Sequence, residues 1–513
     1  MFEVNPEQIE ALNSMELVLL LKRLLHAESL ASGLQLASVL VPLQITVADG
    51  GEDGRMAWTG GVEATDFLPS RSNFFQCKAS KIGRNGWKKE CWAKSTHKKG
   101  VKKRLTPALL SIVAGGGSYL GFTIETLTGE KRDDYVKAIE EGIIEAGGDP
   151  KNLSAIRLYD ANMIASWAER HPSVAIWLAE KGSGQSLAGF RTVDGWGTRR
   201  DFAGIDYVVD AGERYLIGTN KERDPSGAEN RVDAVKASAK IFEHLAEPGR
   251  LVRIVGASGL GKSRFVYEAL RASGTQIGEI FKSSAIFADY NVVASSLLGV
   301  ATRLAESGNP TLLVVDECPR DIAIKLAEIV GSVQSQLRTI AIDTDDRPLE
   351  DGRVLQVSLV PSDKALVETI LRKRNPAIDS DAVARLSEIF GGFPRFAVLA
   401  TEEGGNGQLA DVETIADVVD RILKGAGIVG EAEVRALQSL AMFERIGVEA
   451  DPGPAQLDVV AERLGRMTGD EMYEHLARAR SRYLVGQNGN DFSAQPTPVA
   501  NHLEHVLRSM NRL

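Results

Sequence analysis

Residues 251–263 read Leu-Val-Arg-Ile-Val-Gly-Ala-Ser-Gly-Leu-Gly-Lys-Ser, and this stretch decides the fold of the 513-residue chain. An apolar strand runs into a loop with the pattern G-x-x-x-x-G-K-[ST], from Gly256 to Ser263. Gly256, Gly259 and Gly261 let the backbone curl so that its N–H groups face a polyphosphate, with Lys262 reaching the β- and γ-phosphates. The Ser263 hydroxyl is the expected Mg²⁺ ligand, and Ser258, Leu260 and Arg264 complete the expected nucleotide-contacting set. A helix predicted over residues 262–272 aims its positive dipole end at the same anion. Its apolar positions Phe265, Val266, Ala269 and Leu270 fall on one side, as a helix packed on a sheet requires. ATP and Mg²⁺ are the cofactors this pattern implies.

A second element follows at Thr311-Leu-Leu-Val-Val-Asp316-Glu317, a continuous apolar run ending in two carboxylates. Such a run reads as a parallel strand buried on both faces. Asp316 at its carboxyl end is placed to hold Mg²⁺, and Glu317 to polarise an attacking water. The competing reading, that both acids cap a helix at 319–329, loses ground at this spacing from the phosphate loop.

The length exceeds what one hydrophobic core serves and suggests about three or four domains. Hydrophobic residues make up 43% and charged residues 25%, a balance ordinary for globular proteins and unlike disordered or fibrous chains. Net charge is −9, so nucleic-acid binding is not advertised by the chain as a whole. The positive charge is uneven, however. Lys78, Lys81, Arg84, Lys88, Lys89, Lys94, Lys98, Lys99, Lys102, Lys103 and Arg104 crowd one segment, which suits either a phosphate backbone or a solvated face. Three cysteines, Cys77, Cys91 and Cys318, show no metal-type pairing, and no histidine pair has zinc spacing. With no recognisable leader, the expectation is a cytoplasmic protein. The run Leu17–Leu25 carries Lys22 and Arg23 and is too short to span a bilayer, so no membrane partner is expected.

The expected architecture is α/β and multi-domain. Residues 1–193 alternate helix and strand: a helix at 15–32, strands near 39–47, 55–59, 73–78 and 119–125, and a helix at 132–146. Residues 194–235 read as a linker. Residues 236–360 read as a doubly wound P-loop core, with strands at 251–256, 285–289, 311–317, 339–343 and 354–359. Residues 361–428 form a helical subdomain interrupted by Gly391-Gly-Phe-Pro394. Residues 429–513 give three helices and a hairpin around Gln487-Asn-Gly-Asn490, a winged-helix outline.

The N-terminal region holds a second candidate chemistry. An acidic turn, Asp49-Gly-Gly-Glu-Asp53-Gly54, feeds one strand, and Phe74-Phe-Gln76-Cys77-Lys78 ends another. Metal-dependent phosphodiester cleavage needs a carboxylate to hold Mg²⁺ and a nearby cation to steer water. Asp53 supplies the first and Lys78 the second, with the Cys77 carbonyl as a further oxygen ligand. Gln76 shares the Lys78 face, because alternate strand residues do. These residues resemble the G-x-D-G … Q-x-K pattern of the restriction-endonuclease-like branch of the PD-(D/E)xK nucleases, over roughly residues 15–130. The resemblance implies a restriction-endonuclease-like module acting on double-stranded DNA. It also implies that an acid of the first helix, Glu28, stands in for the one that Gln76 replaces. Trp167 and His171, near the end of the module, read as packing residues.

Taken in order, the nuclease-like module, P-loop core, G-G-F-P segment and winged helix resemble a STAND NTPase of the antiviral (Avs-type) class. The matching stretches are Gly256–Tyr267, Val314–Pro319 and Gly391–Arg395. The resemblance implies that ATP binding and recognition of a phage protein trigger drive homo-oligomerisation, to a tetramer, which activates the N-terminal effector. It places Pro394 near the adenine or sugar. The family carries a long C-terminal sensor array, whereas this sequence stops at Leu513; a truncated chain, a separate sensor, or a different mode of recognition would each account for that. Two rivals stay open. One is an ATP-gated DNA-binding regulator with an inactive nuclease-like scaffold, against which Asp470, Glu471 and Glu474 in the helix 469–479 would repel phosphate. The other is a type IV-like restriction endonuclease, which would need a base-reading pocket that no aromatic cluster announces.

Overall fold

A computed structural model describes residues 2–34, 39–42, 53–97, 101–183, 188–198, 207–218, 231–271, 281–401, 414–425, 428–449, 455–481 and 484–510. Much of the acidic turn, residues 49–52, lies outside them, as do Lys98, Lys99 and most of 199–230. The chain divides into two units. The first comprises Met1–Thr198, Leu270–Phe287 and Glu306–Leu312; the second comprises Arg199–Ala269, Ala288–Ala305 and Leu313–Leu513.

The first unit opens with the short helix Pro6–Glu10 and the longer helix Ser14–Ala31, the latter started by a reciprocal cap in which Asn13 and Glu16 each bond the other's backbone N–H. Its inner side buries Leu17, Leu20, Leu21, Leu24 and Leu25. Strands β1 (Val39–Leu40), β2 (Gly54–Ala57), β3 (Ser72–Lys78), β4 (Ser118–Thr123) and β5 (Ala155–Tyr159) follow and lie in the sheet in that order. Pairings β1–β2 and β2–β3 are antiparallel, while β3–β4 and β4–β5 are parallel. Parallel neighbours need crossovers, and helices Gly83–Glu90, Pro107–Gly115 and Gly129–Glu145 provide them. The first two of these helices and β5 were not expected from the sequence. Helix Gly83–Glu90 is short and carries more charge than apolar surface, so its period is faint.

The register fixes which residues share a face. Gln76 lies opposite Gly121, which lies opposite Leu158, and Lys78 lies opposite Thr123. A Cβ built on Gly121 would stand 2.4 Å from Leu158 and 3.0 Å from Trp87, so helix Gly83–Glu90 covers that face. A side chain at Gly121 would overpack this contact at a cost of about 1–3 kcal/mol. A Cβ on Gly54 would instead meet Leu21 at 3.0 Å and Phe75 at 3.7 Å, so helix Ser14–Ala31 covers the opposite face.

A second, eight-stranded sheet is built from β6 (Phe190–Thr192), β7 (Tyr215–Ile217), β8 (Arg231–Val232), β9 (Leu251–Val255), β10 (Ala285–Asp289), β11 (Thr311–Asp316), β12 (Leu337–Ile342) and β13 (Val354–Leu359). Their order is β6-β10-β11-β12-β9-β13-β7-β8. Strand β9 is central and parallel to both β12 and β13, and β9, β11 and β12 are buried throughout, Arg253 in β9 and Arg338 and Thr339 in β12 being buried polar residues within mainly apolar runs. Strand β7 pairs antiparallel with β13, and β8 with β7. Residues 194–235 are therefore more than the linker read from the sequence, since they contain β7, β8 and most of the short helix Val193–Gly197. Three apolar residues flanked by charges and glycine are too few to show a period.

Beyond the sheet come helices Lys364–Arg374, Ser380–Phe390, Pro394–Thr401, Ile415–Gly425, Glu431–Ala441, Gly469–Ser481 and Thr497–Met510. A small sheet of β14 (Ile446–Gly447), β15 (Val485–Asn488) and β16 (Asp491–Ala494) has the order β14-β16-β15. Buried residues from Leu366 to Leu503 form one continuous core across these elements.

Candidate functional site

The loop after β9 takes a shape only glycine reaches without strain. Gly256, Gly259 and Gly261 have φ of 140°, 91° and 90°. At Gly256 a Cβ would also stand 2.5 Å from the Leu359 carbonyl oxygen. Helix Lys262–Arg271 starts at the loop's end. The Lys262 ammonium donates to the carbonyl oxygens of Gly256 at 2.8 Å and Ala257 at 3.1 Å. Burial pulls its pKa down from the ordinary lysine value, and the carboxylates of Glu317, Asp316 and Asp343 oppose that shift.

Ser263 Oγ donates to Asp316 Oδ1 at 2.8 Å, joining the first turn of the helix to the end of β11. A hydroxyl and a carboxylate meeting in this way are the hard oxygen donors that Mg²⁺ selects, so the residues present fit that ion. Glu317 follows in the left-handed region, with φ of 52°. That conformation is costly for a residue with a side chain, and such strain concentrates at functional positions. Its backbone N–H donates to Asp316 Oδ1 at 3.1 Å. Burial and then the neighbouring Asp316 charge push the Glu317 carboxyl well above its usual range. The structure thus places Gly256, Ser258, Gly259, Leu260, Gly261, Lys262, Ser263 and Arg264 in one loop and helix start, with Asp316 and Glu317 beside them at the end of β11.

Other residues at this site had weaker sequence signals. Asp343, just past β12, is 1% exposed and pushed upward by burial. Arg253 approaches it at 3.6 Å and Arg445 at 3.9 Å, and Arg445 also donates to Thr344 Oγ1 at 3.1 Å. An apolar strand ending in an acid, the logic applied to Asp316, could have found Asp343. Arg395 donates its backbone N–H to the Gly259 carbonyl at 3.2 Å, and Pro394 opens the helix that carries it. From the C-terminal part of the chain, Gln495 accepts a bond from Ser258 Oγ. Pro496 lies so close that a Cβ on Gly259 would meet it at 2.8 Å. The Asn291 amide donates to the Gln487 carbonyl at 2.8 Å, beside Asp289 at the end of β10. No local pattern marked Arg445, Gln487, Gln495 or Pro496.

In the first unit, Asp53 Oδ2 accepts from Gln76 Nε2 and from the Cys77 backbone N–H, each at 2.7 Å. Lys78 pairs with Glu90 at 2.9 Å, an acid the sequence reading did not single out. Asp53, Gln76 and Lys78 are thus gathered at one end of β2 and β3, Gln76 and Lys78 on the face covered by helix Gly83–Glu90. Glu28 is elsewhere. Its Oε2 accepts from Trp167 Nε1 at 3.0 Å and meets His171 Nε2 at 3.2 Å. Trp167 packs edge-on to Phe122, which lies opposite Cys77 and hence on the other face of the sheet. Burial alone would raise the Glu28 carboxyl, but its contacts with His171, Thr65 and Trp167 outweigh that and hold it below the ordinary range. Among the described residues, no group of three or more histidine, cysteine, aspartate or glutamate side chains is arranged to hold a metal.

Part of the basic segment is matched by acids. Arg84 bonds Asp134 and Glu141, and Lys88 bonds Glu141 and Glu145, all on helix Gly129–Glu145. Lys103 donates to the Thr96 carbonyl and lies over the Trp92 ring. Lys81, Lys89, Lys94, Lys102 and Arg104 are exposed.

The strand, glycine loop, lysine and serine–aspartate pair define a P-loop nucleotide site on a mixed α/β sheet. No protein-family model and no curated protein matches the sequence. Among solved structures the chain is similar to a Walker-type ATPase of Pyrococcus abyssi, at 15% identity over 55% of this chain and 97% of that one, with a TM-score of 0.29. It is also similar to a STAND protein with a tetratricopeptide repeat sensor from Pyrococcus horikoshii, at 14% identity, covering 54% of this chain and 42% of that one, with a TM-score of 0.28. A third similarity is to Drosophila ORC bound to DNA, at 15% identity over 56% and 88%, with a TM-score of 0.27. At scores this low the site stands on its own residues. Among the described residues no helix is long and apolar enough to cross a membrane.

Proposed function

We propose that this chain is an ATP-dependent switch of the STAND kind, in which Mg²⁺·ATP at the P-loop drives homo-oligomerisation and so activates an N-terminal Mg²⁺-dependent DNA endonuclease for antiphage defence. The observation that carries the reading is the double hold on the phosphate loop. Ser263 and Asp316 meet where a metal-bound triphosphate binds, and Arg395, Gln495 and Pro496, all distant in sequence, touch the same loop at Ser258 and Gly259. A nucleotide that reshapes this loop changes the free energy of those contacts, which is the requirement for ligand-driven rearrangement. Gly469–Ser481 and the β15–β16 hairpin serve, on this reading, as a winged helix that rests against the loop.

The nuclease assignment draws support from Asp53, just before β2, bonded to Gln76 two residues before Lys78 on β3, with β1, β2 and β3 antiparallel and β3, β4 and β5 parallel. Asp53 holds the metal, and a strand residue's N–H and C=O face the same side, so the Cys77 carbonyl lies on the Asp53 side with it. Lys78 orients the attacking water. The phage trigger and a tetrameric assembly belong to the same proposal: the trigger is needed for assembly while ATP is turned over, and blocking turnover, as in Glu317→Gln, lets ATP alone hold the assembled state. Against it stands the Gln76 bond to the would-be ligand oxygen, which favours the inactive-scaffold alternative and makes cleavage the deciding readout.

The test uses Glu317→Gln, which should retain ATP without turning it over. Light scattering with Mg²⁺·ATP should show a larger species than without, and supercoiled plasmid should be cut by that species but not by its Asp53→Ala derivative. Unchanged mass with ATP contradicts the switch. A larger species that leaves plasmid intact contradicts the nuclease and favours the scaffold.

A further inference from the structure

The segment before β9, taken from sequence as linker, reaches into the phosphate site. Arg214 Nη1 donates to the Leu260 carbonyl at 2.9 Å, in the middle of the glycine loop. The guanidinium is itself held. Its Nε meets Asp210 Oδ2, its face lies over the Tyr215 ring at 5.3 Å, and both side chains are buried, 8% and 3% exposed. Asp210 is fixed in turn by the Gly212 N–H at 2.9 Å. The Arg214 carbonyl accepts from Val360 N at 3.2 Å, where β13 ends beside the loop. Tyr207, from the same segment, lies under the Arg264 guanidinium at 5.7 Å, on the first turn of the following helix.

The Leu260 carbonyl and the Gly261 N–H belong to one planar trans peptide and point in opposite directions. Gly261 forms one end of it at φ of 90°, with Gly259 one residue before Leu260 at 91°, and a glycine at its end leaves such a peptide freer to rotate. Something must choose its orientation. A buried, doubly anchored arginine bonded to the carbonyl does so, and the N–H is turned the other way. Lysine would not substitute fully, because only the guanidinium fork serves the carbonyl and the carboxylate together.

Building on the P-loop reading, we propose that Arg214, held by Asp210, is a positioning residue that fixes the Leu260–Gly261 peptide so that the Gly261 N–H faces the bound polyphosphate. It touches no reacting atom. Its effect is on the polyphosphate and not on the nucleoside, which distinguishes it from a residue needed only for folding.

Equilibrium titration of the full chain with a fluorescent ATP analogue, with ATP and AMP as competitors, tests this. Arg214→Ala should bind ATP about 10- to 100-fold more weakly, the loss of one charge-assisted hydrogen bond. AMP competition should move by less than about threefold. Asp210→Asn leaves Arg214 in the chain but removes its charged anchor, and should show the same selective loss in a chain that melts as a single cooperative transition. ATP affinity within about twofold of wild type in both variants overturns the proposal, as does an equal loss for ATP and AMP. A wild-type chain with no ATP affinity overturns the P-loop reading itself, and the inference with it.

Discussion

Two aspartates at strand ends carry this molecule's candidate chemistry, and their surroundings differ. Asp316, at the end of β11, accepts from the Ser263 hydroxyl and from the Glu317 N–H on one oxygen. Asp53, at the start of β2, accepts from the Gln76 amide and the Cys77 N–H. The first site joins a hydroxyl oxygen to a carboxylate, a pair that a hard cation can share. The second offers one carboxylate tied by two N–H donors, with its cation, Lys78, already paired to Glu90. The P-loop site is arranged for a metal nucleotide, whereas the Asp53 site must loosen the Gln76 contact before a metal gains a full oxygen set.

Lys262→Ala should break the comparison on the P-loop side with the largest effect. Removing the ammonium leaves the β/γ-phosphate charge without its main offset, and ATP hydrolysis should fall by about 10²–10³-fold, measured as phosphate release. Hydrolysis that persists in this variant would place the chemistry elsewhere. Gln495→Ala should have a smaller effect. It removes the partner of Ser258 from a loop that glycine makes pliable, so nucleotide release followed by stopped flow should quicken by about three- to tenfold. An unchanged release rate would mean that this contact does not couple the C-terminal elements to the loop.

The smallest effect on activity is expected at Glu28, on the opposite side of the comparison, where the loss falls on stability. Its folded carboxyl titrates below the ordinary 4.5 because His171, Thr65 and Trp167 overcome the burial penalty. A depressed carboxylate contributes stability that is fully present above its unfolded value and is lost as pH falls through the folded value. Glu28→Gln should therefore cost about 1–3 kcal/mol at neutral pH and less below pH ~4, read from urea melts. Plasmid cleavage, if present, should survive in the fraction that remains folded. A variant that is fully stable but has lost cleavage would return Glu28 to the metal site.

What could be read from sequence follows from how far apart the contributing residues lie. The loop Gly256–Ser263 is contiguous, and each position's chemistry is written in its residue type. The apolar run ending at Asp316 announces a buried strand, and these two stretches together account for the Ser263–Asp316 contact. At β3 the period of two already placed Gln76 with Lys78, and the register bears that out. Glu28 needed the face of a sheet to be known, and that depends on Gly54 meeting Leu21 while Gly121 meets Trp87, contacts with no local trace. Strand β7 has three residues, too few for a period, so the Arg214 strap looked like linker. Gln495 and Arg445 reach the site only because the segments that carry them fold back on the loop. The basic run around Lys88 was visible, but the acids of helix Gly129–Glu145 that pair with it are registered by packing.

The central claim is that the Gly256–Ser263 loop binds Mg²⁺·ATP and that the binding changes the state of the whole chain. Its most direct test is the mass of the 513-residue chain by light scattering, with and without Mg²⁺·ATP, in the Glu317→Gln background and with Lys262→Ala as control. The account predicts growth from a small species to a discrete oligomer in the presence of nucleotide, absent from the Lys262→Ala control. A mass indifferent to nucleotide, or an oligomer that forms equally with Lys262 removed, would contradict it.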